Sequence, residues 1–118
     1  MNISQIDEIN KSAWDNRRID LRQSFDFAMK TKEASSALKY SKGLADSSKV
    51  LGYCYWRFSD YSQSLSNSLT ALKIYKGLNA QKDEADTLNS IGAVYMFQNE
   101  NIKRLECNLQ CLKIRQDV

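Results

Sequence analysis

The chain has 118 residues, 42% hydrophobic and 26% charged, with four glycines and no proline. This length fits one domain, and the scarcity of turn residues argues against an all-β fold and suits an array of helices. The net charge of +3, from 17 basic and 14 acidic residues, is scattered, with Arg17, Arg18 and Arg22 as its densest cluster; nothing there suggests the concentrated basic face of a nucleic-acid binder.

The N-terminus, Met1-Asn2-Ile3-Ser4, lacks the basic start and apolar run of a signal peptide. Helical periodicity predicts helices near 3–16 and 20–36, then 43–58, 61–76, 82–98 and 101–116. In the third, Ala45, Ser48, Leu51, Gly52 and Tyr55 share one face. Ser59-Asp60 breaks that pattern, and Asp60 is a good N-cap for the next helix. The fourth helix carries one apolar stripe of Leu65, Leu69 and Leu72 and a second of Ala71, Ile74 and Leu78. The second stripe is expected to pack on the fifth helix. Gly77 is expected to end the fourth helix in a left-handed conformation. Asp83, Glu84 and Asp86 open the fifth helix, where acids favour the helix dipole. The longest apolar run, Ile91 to Phe97, is far too short to cross a membrane.

Sliding the chain over itself by 40 positions places 45–78 on 85–118 without a gap, and nine of those 34 pairs are identical. They are Ala45/Ala85, Asp46/Asp86, Gly52/Gly92, Tyr55/Tyr95, Leu65/Leu105, Leu69/Leu109, Leu72/Leu112, Lys73/Lys113 and Ile74/Ile114. Chance would supply about two. The first segment fits the same frame from Asp20 onward, with Phe25 over Leu65 and Met29 over Leu69. Before Asp20 the register blurs, which reads as a small insertion near Arg17-Arg18. The expected architecture is all-α: tandem antiparallel helix pairs, six helices in three units of about 1–40, 41–80 and 81–118, in a single domain spanning 1–118.

Ser48-x2-Leu51-Gly52-x2-Tyr55 and Leu88-x2-Ile91-Gly92-x2-Tyr95 resemble the signature of the tetratricopeptide repeat. The period of 40 exceeds the usual length of about 34, Ser48 and Leu88 stand where that family has tryptophan, and the closing proline is absent. The later small-x3-aromatic element reads Ser64-x3-Ser68 and then Arg104-x3-Asn108. HEAT-type pairs share the period but not the Gly-x2-Tyr spacing. The runs Gly43-Leu44-Ala45, Leu51-Gly52-Tyr53, Ala71 to Tyr75 and Leu88 to Gly92 are similar to a longer-period subtype. That subtype stands ahead of the output domains of bacterial signalling proteins such as nucleotide cyclases and sensor kinases. The resemblance implies the N-terminal part of a larger protein, and a protein- or peptide-binding or sensory module that regulates an output domain. The alternative is a homodimerisation domain with no groove ligand.

No catalytic constellation is visible. There is no histidine, no phosphate-cradling glycine loop and no metal-ligand spacing, so no enzyme activity, cofactor or metal is expected. Three cysteines without framework spacing read as reduced, cytoplasmic thiols. Beside the core face, the third helix presents Asp46, Lys49, Tyr53, Trp56 and Arg57, and the fifth presents Asp86, Asn89, Ala93, Met96 and Phe97. By analogy the first unit offers Ala13, Trp14 and Arg17. The expected peptide groove is Lys49, Tyr53, Trp56, Arg57, Asp86, Asn89, Met96 and Phe97, rich in the residue types that dominate binding hot spots. The resemblance implies that Asn89 bonds a peptide main chain. The other reading of the arc is packing between helices. Cys107, Cys111, Ile114 and Val118 recur at intervals of four, three and four and are expected to form an uncovered face for self-association or a next repeat. Neither nucleic acid nor membrane is an expected partner.

Overall fold

The structure is a computed structural model that describes residues 1–98 and 100–117. Its six helices are α1 (Ile3–Asp15), α2 (Leu21–Ala37), α3 (Ser41–Arg57), α4 (Tyr61–Leu78), α5 (Gln81–Phe97) and α6 (Asn101–Asp117), and among the described residues there is no strand. Each bound lies within a few residues of the sequence expectation. Side-chain caps explain the starts of α1, α2 and α4, whereas α3 and α5 follow Tyr40 and Ala80 with no side-chain cap. Asn2 and Gln5 form a reciprocal capping box, and the Asp20 and Asp60 carboxylates accept from the Gln23 and Gln63 amides.

The stops are less obvious. Lys39, Ser59 and Asn79 all have positive φ, between 54° and 63°, just beyond the C-terminal ends of the consecutive helices α2, α3 and α4. The amides of Tyr40, Asp60 and Ala80 then reach back five residues to the carbonyls of Ser35, Tyr55 and Tyr75, the Schellman closure. Gly77 is therefore not the left-handed residue expected of it. It lies inside α4, and Asn79 takes the left-handed conformation, which its short polar side chain tolerates.

Each helix packs on the next in sequence, and α3 also packs on α1 and on α5, whereas α2, α4 and α6 meet only through side chains. The first helices thus form an inner row and the second helices an outer one. Within a pair the helices come close because small residues meet. Ser24, Ala28 and Thr31 on α2, and Ser64, Ser68 and Ala71 on α4, are all buried. The Ser24 hydroxyl donates to the Ala13 carbonyl and the Ser64 hydroxyl to the Gly52 carbonyl, each at 2.7 Å. A Cβ on Gly52 would run into the Ser68 hydroxyl and lie 3.3 Å from Ser68 Cβ.

This contact corrects the expectation that the stripe of Ala71, Ile74 and Leu78 packs on α5. Leucine is too large for the seam between paired helices. Leu65 and Leu72 instead pack against Ala85, Leu88, Ile91, Cys107 and Cys111 of the following pair, beside Tyr95 and Ile114. Ala71 packs with Ala45 and Tyr75 inside its own pair, with Ile74 alongside, and Leu78 is exposed. The same geometry corrects the expected C-terminal face. Cys107 and Cys111 are 8% and 4% exposed, turned onto α5, and Ile114 is half-buried beside them. Val118 lies outside the described residues.

The blur before Asp20 is also resolved. The serine-to-carbonyl bond spans 11 residues in the first pair and 12 in the second. The first pair is therefore one residue shorter, not longer, and α1 aligns with α3 at an offset of 39.

The glycines are not equivalent. A Cβ at Gly43 would lie 2.7 Å from Tyr40 Cδ2 and 2.9 Å from Ile6 Cγ2, where α1 meets the start of α3. At Gly92 it would meet Asn108 Oδ1 at 3.4 Å and Cys107 Cβ at 3.7 Å, ordinary contacts. Gly43→Ala should overpack and cost roughly 1–3 kcal/mol. Gly92→Ala should be neutral or gain up to about 1 kcal/mol from helix propensity. Urea unfolding of both variants checks this; equal losses at the two sites would contradict the packing described.

Candidate functional site

The inner row carries a cleft of about 300 Å³ lined by α1, α3, α4 and α5 side chains, among them Asp7, Trp14, Lys42, Asp46, Lys49 and Asp83. With α1 at its corrected offset, Asp7, Asp46 and Asp86 are equivalent, one aspartate per pair. Each is partnered. The Tyr40 hydroxyl donates to Asp7 at 2.8 Å, and the Tyr75 hydroxyl donates to Asp46. Lys42 bridges the two carboxylates, 2.7 Å from Asp46 and 3.8 Å from Asp7. Lys49 lies 3.0 Å from Asp83 and 3.4 Å from Asp86. Its ammonium also sits 4.0 Å over the Trp14 ring, so it ties α1, α3 and α5 together.

A line of aromatic rings runs on from this cleft. Trp14 meets Tyr53 edge-on at 6.2 Å, Tyr53 meets Trp56 at 5.7 Å, and Trp56 meets Phe97 at 6.0 Å. Phe97 then stacks on Tyr61 at 6.2 Å. Such pairs favour edge and offset geometries and hold one another in place. Arg17 stacks over Trp14 at 3.7 Å and donates to the Trp14 carbonyl, while Arg57 donates to the Tyr53 hydroxyl at 2.9 Å. Burial, then the neighbouring Arg18 charge, lowers the Arg17 pKa from its usual value.

The structure therefore brings together six of the eight expected groove residues: Lys49, Tyr53, Trp56, Arg57, Asp86 and Phe97. Two differ in role from the expectation. Lys49, only 6% exposed, and Tyr53, also buried, are the floor that supports the surface, while Trp56, half-buried, and Phe97, exposed, are the rings a partner would reach. Asn89 is turned toward α6, where its Oδ1 accepts from the Cys111 thiol at 3.4 Å. Met96 is exposed and takes no part in the aromatic line. Asp7, Asn10, Lys11, Lys42, Tyr75 and Asp83 were missed. The repeating aspartate would have exposed the cleft, but only after the one-residue shift in α1.

Among the described residues no group of three or more histidine, cysteine or acidic side chains is placed to hold a metal, and no helix is long and apolar enough to cross a membrane. The three cysteines are free and buried. No protein-family model, curated protein or solved structure matches this chain.

Two predictions follow from the geometry of this row. Lys49→Ala removes the only cation within 4.0 Å of Asp83 and Asp86 among the described residues. Because both carboxylates keep some solvent, the expected loss is about 1–3 kcal/mol rather than that of a fully buried pair. A thermal midpoint unchanged by this substitution would show that the inner row is held by packing alone.

The second concerns pH. Burial pushes the Cys54 thiol up to about 12, weakly opposed by Arg57. Burial, then the Asp46 carboxylate, pushes the Tyr75 hydroxyl far above its usual 10.0. Both groups hold their protons longer in the fold than in the unfolded chain. Their contribution is complete below the unfolded values and is lost as pH rises toward the folded ones. Stability should thus fall from about pH 9 upward, and Cys54→Ala should flatten the part of that fall between about 9 and 12. Urea midpoints measured across this range test it.

Proposed function

We propose that the inner row is a binding surface for a protein segment, and that the chain is a tetratricopeptide-like interaction or sensory module of a cytoplasmic signalling protein, without catalytic activity. The observation that carries this reading is the aromatic line from Trp14 to Phe97. Its outer rings, Trp56 and Phe97, remain accessible, while the rings beneath them are fixed by Arg17, Lys49 and one another. Large, prearranged aromatic surface beside arginine is what dominates protein hot spots, because little side-chain freedom is lost on binding. The adjoining cleft is almost charge-balanced, with Asp7, Asp46 and Asp83 against Lys11, Lys42 and Lys49. It therefore suits a mixed polar and apolar segment better than a strongly charged one. The absence of histidine from the whole chain supports binding over catalysis. A second reading, a domain that pairs two copies of its parent, is favoured by a different surface, the outward row of α6.

Trp14 and Trp56 are the only two tryptophans, and both lie on this surface, so intrinsic fluorescence reports its occupancy. A random linear peptide library panned on the protein should yield peptides that change this fluorescence. Those peptides should bind a Trp56→Ala, Phe97→Ala double variant at least about tenfold more weakly, with its helical circular dichroism unchanged. Recovered peptides that bind both proteins equally would move the site elsewhere. A library that yields nothing would count against the groove.

A further inference from the structure

The two complete junctions between pairs define a rule. The row Phe25, Met29 and Lys32 on α2 faces the next inner helix, where Phe25 packs edge-on against Tyr55 at 5.4 Å. The equivalent row on α4, Leu65, Leu69 and Leu72, faces Leu88, Ile91 and Tyr95. The third copy of this row, on α6, is Leu105, Leu109 and Leu112, extended by Ile102. These are 57%, 57%, 53% and 76% exposed, and among the described residues nothing covers them. At both junctions the outer members of this row meet the next pair, while Met29 and Leu69 at its centre stay 46% and 48% exposed.

The chemistry of the possible covers differs. At the corrected offset, α1 places Lys11, Ser12, Asp15 and Asn16 where α3 has Val50, Leu51, Cys54 and Tyr55. The face of α1 that would have to continue the stack from another copy is therefore polar, and head-to-tail stacking would bury unpaired polar groups. No other described helix exposes four large apolar side chains at helical spacing. The α6 row is itself self-complementary. Ile102, Leu105, Leu109 and Leu112 are separated by three, four and three residues, the seam of a two-helix coiled coil.

We propose that this row is an interface between two copies of the chain, α6 against α6 about a twofold axis. The inference is independent of the groove reading, since it uses the opposite row of helices. Four such side chains offer on the order of 400 Å² per copy, as large as the largest apolar patch on a typical monomer. With the flanking residues that accompany a helix contact, the pair reaches the lower part of the range for specific interfaces. The expected dimer is accordingly a weak one, of about micromolar affinity.

Sedimentation equilibrium over a wide concentration range tests this on the chain alone. The wild type should pass from monomer to dimer. Leu109→Glu should weaken that association at least about tenfold while leaving the helical circular dichroism intact, because Leu109 is more than half exposed in the single copy. Leu105→Glu serves the same end should Leu109→Glu unfold the protein. Hydrogen exchange gives a second readout: α6 amides should slow as concentration rises, while α1 amides should not. A wild type that stays monomeric throughout overturns the proposal. So does a dimer that survives both substitutions, or one whose concentration-dependent protection lies outside α6.

Discussion

The close seam inside each helix pair decides the rest of this molecule. Ser24 and Ser64 each donate a hydrogen bond across that seam to a main-chain carbonyl, and Ala13 and Gly52 supply the space for it. A helical carbonyl already accepts one bond, so the serine uses its second lone pair, while the Ser68 hydroxyl beside Gly52 is buried with no hydrogen-bond partner among the described residues. Helices held this close leave no room for leucine between them. The large aliphatic side chains are therefore expelled to the other side of α2 and α4, where they join one pair to the next. A stripe of small polar residues thus determines where the apolar surface goes.

The helices themselves were legible because their evidence is local. Capping residues, periodicity and the offset of 40 all point to the same six segments. Orientation was not legible in the same way. A leucine stripe is the stronger hydrophobic signal, and the ordinary inference places the most apolar face in the tightest contact. Here the tightest contact is made by Ser64, Ser68 and Ala71, which a hydrophobicity pattern reads as weak. Close approach, not apolarity, ranks the two faces. The helix stop at Asn79 was hidden for a related reason. Glycine is the usual left-handed residue, and Gly77 stood two positions too early to be it.

Half of the candidate surface could be seen from the aromatic residues alone, since Trp56 and Phe97 sat on an arc too apolar for a solvated face. The cleft could not. Its components come from four helices, and Tyr75 reaches Asp46 from the second helix of the pair. The helical wheel put Asn89 on the same arc, and only its bond to a peptide main chain came from family likeness. The third pair has Arg104 where Ser24 and Ser64 stand, and Cys111 where Thr31 and Ala71 stand. The Cys111 thiol takes up the Asn89 side chain and the Ala85 carbonyl instead.

The third pair also lacks the serine bond that closes the other two. Gly92 would accept a Cβ at ordinary distance, whereas Gly52 would not. No serine bond fastens α6 to α5, and their shared cluster is filled by Cys107 and Cys111. Polarisable, medium-sized thiols fill a wider seam without fixing it as a serine-carbonyl bond does. The inner row, by contrast, is fastened to the third pair by Lys49 through Asp83 and Asp86, and by Trp56 through Phe97. The position of α5 therefore depends on the same side chains that form the aromatic line and the floor beneath it.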